Sequence, residues 1–145
     1  MINTRLIKLL TYLGTLPFFL AIYIDLTDQV LFGSDGTRWF ITYGLVILSF
    51  MAGTLWGQML NESGRVKSIA AATNAITLIA WFTYLLADSP IVLMTIAVGF
   101  VVLYLIELLV ICPSKRPVYY IELRLRVTAL VVLAHVFMLF VSVPL

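Results

Sequence analysis

Four side chains with chemical capability sit inside long apolar stretches: Asn74, Glu107, Arg124 and His135. His135 is the one histidine of the chain. An ionisable group at mid-membrane depth is costly and marks function by default, so His135 fits a proton relay, a hydrogen-bond donor to a quinone, or a haem ligand. The alternative is a neutral imidazole bonded to Asn74, Thr128 or a backbone carbonyl, which joins helices and does no chemistry. His135, Asn74 and Trp56 are the candidate cofactor-binding residues, with Trp81 and Tyr104 as further aromatic walls. A quinone or a lipid is the ligand such a set would take, and no resident cofactor is predicted. Paired histidine ligation of haem within one chain is excluded by the single histidine, and Cys112, the lone cysteine, rules out a multi-thiolate metal site. No catalytic residue is assigned. Ser49, Ser68 and Ser142 lack the Gly-x-Ser-x-Gly setting of an activated serine, and the glycines come singly, not as a phosphate loop.

Glu107 and Arg124 are expected to pair, because they lie at similar depths near one end of consecutive apolar runs. A proton or cation site at Glu107 is the functional version of that pair. The structural version is an ion pair closing a hairpin between adjacent helices. Arg126 points about 200° away from Arg124 around a helix and suits Glu122, four residues earlier, or a lipid phosphate.

Composition says what positions these groups. Of 145 residues 63% are hydrophobic and 11% charged, with mean hydropathy +1.11, whereas soluble domains carry roughly a quarter charged residues. The bilayer is the solvent. Spans of about 20 residues are predicted at 6–26, 39–60, 69–87, 91–111 and 122–145, giving one all-α transmembrane bundle over residues 1–145. The breaks are Thr27-Asp-Gln-Val-Leu-Phe-Gly-Ser-Asp-Gly-Thr37, Asn61-Glu-Ser-Gly64, Asp88-Ser-Pro90 and Cys112-Pro-Ser-Lys-Arg-Pro117, and Pro17 predicts a kink in the first span. Arg5 and Lys8 precede an apolar run without a small-x-small cleavage site, which reads as an uncleaved first span.

Charge orients the bundle. Arg5, Lys8, Arg65, Lys67, Lys115, Arg116, Arg124 and Arg126 gather at one end, and Arg38 alone lies among Asp25, Asp28, Asp35 and Asp88 at the other. Short cytoplasmic loops accumulate Lys and Arg, so the amino terminus is predicted inside and the carboxyl terminus outside. Aromatic residues mark both interfaces: Tyr23, Trp39, Tyr43, Trp81 and Tyr84 outside, Trp56, Tyr119 and Tyr120 inside. A formal charge of +2 gives no support for a nucleic-acid partner.

Polar residues recur at nearly whole helical turns in three spans: Arg124, Thr128, His135 and Ser142; Lys67, Asn74, Thr77 and Trp81; and Arg38, Thr42, Ser49, Gly53 and Trp56. These stripes are expected to face the bundle interior. Ser49, Gly53 and Gly57, four apart, form a helix-packing seam that either closes the bundle's own core or receives a foreign helix.

The run Tyr43-Gly-Leu-Val-Ile-Leu-Ser-Phe-Met-Ala-Gly-Thr-Leu-Trp-Gly, together with Tyr119-Tyr-Ile-Glu-Leu-Arg-Leu-Arg-Val-Thr128 and Leu16-Pro17-Phe18, resembles the domain-of-unknown-function 3429 family, which includes animal mitochondrial transmembrane protein 69. Where family members carry histidine before the tryptophan, this chain has Leu55. The resemblance implies this architecture and an inner membrane; it implies no reaction. The absence of a transit-like segment favours a bacterial inner membrane over a mitochondrial one. The expected function is that of a non-catalytic accessory subunit or assembly factor docking other integral membrane subunits, with respiratory complexes as the first class of partner. The alternative is a small-ligand or quinone-binding protein, or a minor transporter, using the polar interior.

Overall fold

The computed structural model describes residues 4–60, 65–110 and 117–143. The order is α1 (Thr4–Leu13), α2 (Leu16–Leu26), α3 (Gly36–Gly57), α4 (Val66–Leu86), α5 (Ser89–Val110) and α6 (Val118–Ser142), with no strand among the described residues. α1 and α2 run on as one apolar passage, so the six helices among the described residues make five spans long and apolar enough to cross a membrane. The predicted breaks at residues 61–64 and 112–116, with Cys112, Lys115 and Arg116, lie outside the described residues.

The first span breaks at Gly14 and Thr15, just ahead of Pro17. Proline has no N–H to give, and its ring collides with the carbonyl four residues back, so the chain cannot stay α-helical through residue 13. Thr15 N–H turns to Tyr12 O at 3.0 Å and Phe18 N–H to Thr15 O at 3.1 Å. Gly14 O, which Phe18 N–H would otherwise take, instead accepts the Tyr43 hydroxyl at 2.8 Å. This bond ties the break to α3. Tyr43→Phe is expected to lower stability by about 1 kcal/mol, read as a lower thermal midpoint in detergent with the helical content unchanged.

α2 and α3 meet at a tight corner. Asp35 caps α3, its carboxylate accepting Arg38 N–H at 2.7 Å, so the helix begins three residues before the Trp39 start read from hydropathy. Asp25, at the end of α2, accepts both the N–H of Thr37 at 2.9 Å and its hydroxyl at 3.0 Å. Two carboxylates therefore sit on the positive end of one helix dipole. Between α2 and α3, Leu31 and Ser34 exchange backbone hydrogen bonds across Phe32 (φ 51°) and Gly33 (φ 75°), the two-residue turn with both central residues left-handed. Trp39 Nε1–H donates to Leu31 O at 3.0 Å and holds this hairpin against the helix.

The core lies among α2, α3, α5 and α6, where Phe18, Phe40, Leu48, Leu93, Ile96 and Met138 are fully buried. α4 packs on the outside against α3 and α5, burying Ile69, Thr73 and Ala80. Helices come closest at Gly36, whose missing Cβ would stand 2.3 Å from Ala21 O; they also approach at Gly99, 3.1 Å from both methyls of Leu48, and at Gly44, 3.4 Å from His135 Nε2.

Of the three polar stripes, only that of the last span faces inward. Arg38, Thr42 and Ser49 on α3 and Lys67, Asn74 and Trp81 on α4 are exposed. The inward expectation fails because most hydroxyls in these helices satisfy themselves. Thr42 donates to Arg38 O, Ser49 to Leu45 O, Thr77 to Thr73 O and Thr83 to Ile79 O, each one turn back. A hydroxyl bonded to its own helix has no need of the interior.

Candidate functional site

The polar cluster at the basic end of the bundle is built by α5 and α6. Glu107 sits one turn before the end of α5 and Arg124 in the second turn of α6, so the hairpin between these antiparallel helices places them side by side. Arg124 Nε–H donates to Glu107 Oε2 at 2.8 Å, with side chains 11% and 7% exposed. Tyr120, one turn before Arg124, donates its hydroxyl to the other carboxylate oxygen at 3.1 Å. The guanidinium Nη1 reaches across to Met51 Sδ of α3 at 3.4 Å. Tyr120 and Met51 were not among the candidates. The spacing of Tyr120 four residues before Arg124 was the available signal for the first; nothing in the sequence signals Met51, which arrives from another helix. Arg126 pairs with Glu122 as its spacing indicated, with both side chains exposed, so this contact adds little. Lys8 Nζ lies 5.9 Å above the Tyr119 ring.

Beside Arg124 a groove of about 420 Å³ opens between α1, α3 and α6. Its walls include Leu10, Thr11, Phe18, Met51, Thr54 and Val127, and Tyr120 and Arg124 stand at one end.

His135 occupies the middle of the core, wholly buried. A carbonyl only accepts, so the 2.8 Å contact with Val131 O makes Nδ1 the protonated nitrogen. Nε2 points at the Gly44 notch with no hydrogen-bond partner. The rings of Phe40, Phe18 and Phe100 pack around the imidazole at centroid distances of 4.7, 5.5 and 5.7 Å. Of the alternatives set out for this residue, the backbone-bonded imidazole is the arrangement present, bonded within its own helix and not to Asn74 or Thr128.

His135, Asn74 and Trp56 do not converge. Asn74 is exposed on α4, and Trp56 lies twelve residues along α3 from Gly44, about 18 Å at 1.5 Å per residue. No group of three or more metal-ligating side chains forms among the described residues. The seam residues look outward: Ser49 is exposed, and a Cβ added at Gly53 or Gly57 would meet nothing within 4 Å. Within the bundle these residues close no contact; the close approaches fall at Gly36, Gly44 and Gly99.

Five apolar spans, a buried ion pair at one end and a histidine sealed in the core define a polytopic α-helical membrane protein. A family model described as "Protein of unknown function (DUF3429)" matches residues 3–140. The chain belongs to that family. No curated protein and no solved structure matches it.

Proposed function

We propose that this protein is a non-catalytic accessory subunit or assembly factor of a larger membrane complex, seating a foreign transmembrane helix against the outward faces of α3 and α4. The observation that carries this reading is Asn74. It lies near the middle of α4, is exposed, and forms no hydrogen bond among the described residues. A carboxamide turned to hydrocarbon with its donors and acceptor unused is costly, and the usual remedy is a hydrogen bond to another helix. Ala71 and Ala75 flank it on the exposed side of α4 and let a second backbone come close. The open positions Gly53 and Gly57 on α3 support the same reading.

The charge distribution supports an orientation with the basic end toward the cytoplasm, and we place the protein in a bacterial inner membrane. Respiratory complexes are the first partners to examine. Purification from native membranes in mild detergent, followed by mass spectrometry, is expected to recover a stoichiometric partner. Asn74→Leu is expected to reduce that recovery about tenfold, the equivalent of roughly 1.4 kcal/mol, while the thermal midpoint of the isolated protein stays put. A monodisperse particle with no partner in native membranes sinks the proposal.

A further inference from the structure

We propose that the groove between α1, α3 and α6 holds one acyl chain of a glycerolipid drawn from the leaflet at the basic end, its ester carbonyl accepting from Arg124. This does not rest on the docking reading, which concerns other faces of the bundle. The groove is a consequence of the sequence around the break in the first span. Gly14 has no side chain, and Thr11, Thr15 and Thr54 are short. The helices therefore cannot fill the space they enclose. A volume of about 420 Å³ falls within the usual range for ligand sites. Leu10 and Phe50 at its edges are exposed, so entry is sideways, from hydrocarbon.

Length and polarity select the occupant. The lining residues on α6 run from Tyr120 to Val131, a rise of about 16 Å, or half of a hydrocarbon core about 30 Å thick. That is the reach of a tail belonging to one leaflet. The polar side chains at the basic end are Gln58, Tyr120 and Arg124; Tyr120 bonds Glu107, and Arg124 is the one charged donor among them. Its Nε–H is committed to Glu107, whereas the acceptor found for Nη1 is the thioether of Met51 at 3.4 Å, and a thioether is a weak acceptor. A guanidinium this deeply buried calls for a better partner. Glu107 already neutralises it, so a carboxylate or phosphate in the groove would stand beside a second negative charge. A neutral carbonyl meets the donor without that repulsion. The ester of a glycerolipid supplies such a carbonyl at the head of an apolar tail.

The test uses the full chain, stripped of lipid in detergent and then offered three probes: a diester phosphatidylethanolamine, its diether analogue without carbonyls, and an isoprenoid benzoquinone. Native mass spectrometry counts retained molecules. One diester lipid per chain is expected, with the diether held about tenfold more weakly. Thr54→Phe fills the groove, and Thr54 bonds only the Met51 carbonyl of its own helix, so no interhelical partner is lost. Retention of the diester by this variant is expected to fall at least tenfold, with an unchanged thermal midpoint confirming the fold. Equal retention by Thr54→Phe overturns the site, equal retention of the diether overturns the role of Arg124, and preference for the quinone overturns the assignment of a lipid. The diester and diether comparison uses the unaltered protein and decides the matter even where the variant does not fold.

Discussion

Gly36→Ala is expected to disrupt the corner between α2 and α3 and to be among the most damaging single substitutions in the chain. The added Cβ would stand 2.3 Å from Ala21 O, 2.4 Å from Asp25 N and 2.6 Å from Asp25 Cβ. Two of these three atoms are backbone, so no side-chain rotation relieves the clash. α2 cannot simply retreat, because Phe18, Ala21, Ile22 and Ile24 anchor it in the core. Pushing the helices apart would also pull Asp25 from the N–H and hydroxyl of Thr37, removing a cap worth about 1 kcal/mol. Overpacking and cap loss together predict a cost of at least about 3 kcal/mol, seen as a thermal midpoint lower by on the order of 10 °C. Gly53→Ala is the control. Its Cβ meets nothing within 4 Å, and alanine is the better helix former by about 1 kcal/mol, so the midpoint is expected to hold or rise. Equal melting of the two variants would show that the corner is not packed as described.

The second large effect belongs to Glu107 and Arg124. Removing either partner breaks a pair whose side chains are 11% and 7% exposed, and losses of about 3–5 kcal/mol are typical of such pairs. Arg124→Leu takes from the Glu107 carboxylate its guanidinium at 2.8 Å; Glu107→Leu leaves a guanidinium whose other acceptor is a thioether. Replacing both by leucine deletes the two charges at once. That double variant is expected to melt above either single one, because the desolvation cost leaves together with the attraction. Unfolding of all three in detergent gives the coupling as a double-mutant cycle. Additive losses, with the double variant the least stable, would dissolve the idea of a buried pair acting as a unit.

Some of this is legible one helix at a time. The number of spans follows from the length of apolar runs against the thickness of hydrocarbon, and the five spans fall close to the predicted ranges. The contact between Arg126 and Glu122 follows from helical spacing. Glu107 and Arg124 could be paired on paper because they flank one short connection at similar depth. Capping at Asp35 was also readable, as an aspartate three residues before Arg38, although hydropathy placed the helix start later.

The inside of the bundle was not legible, and the reason is the solvent. In water a helix labels its buried face by being apolar there; in hydrocarbon both faces are apolar, and hydroxyls such as those of Thr42 and Ser49 are satisfied by their own helix whichever way they point. Periodicity therefore finds stripes without saying which side they occupy. What decides is the shape of the neighbouring helix: Gly44 against His135, Gly99 against Leu48 and Gly36 against Asp25 are contacts between different helices, while Gly53 and Gly57, which look equivalent in sequence, face outward. The groove at Arg124 belongs to the same class, since its walls come from α1, α2, α3 and α6 and exist only once those helices are side by side. Chain length, apolar content and local spacing determined that this is a five-span membrane bundle with a charged pair at one end; interhelical packing alone decided which faces are sealed and which are left for something else to cover.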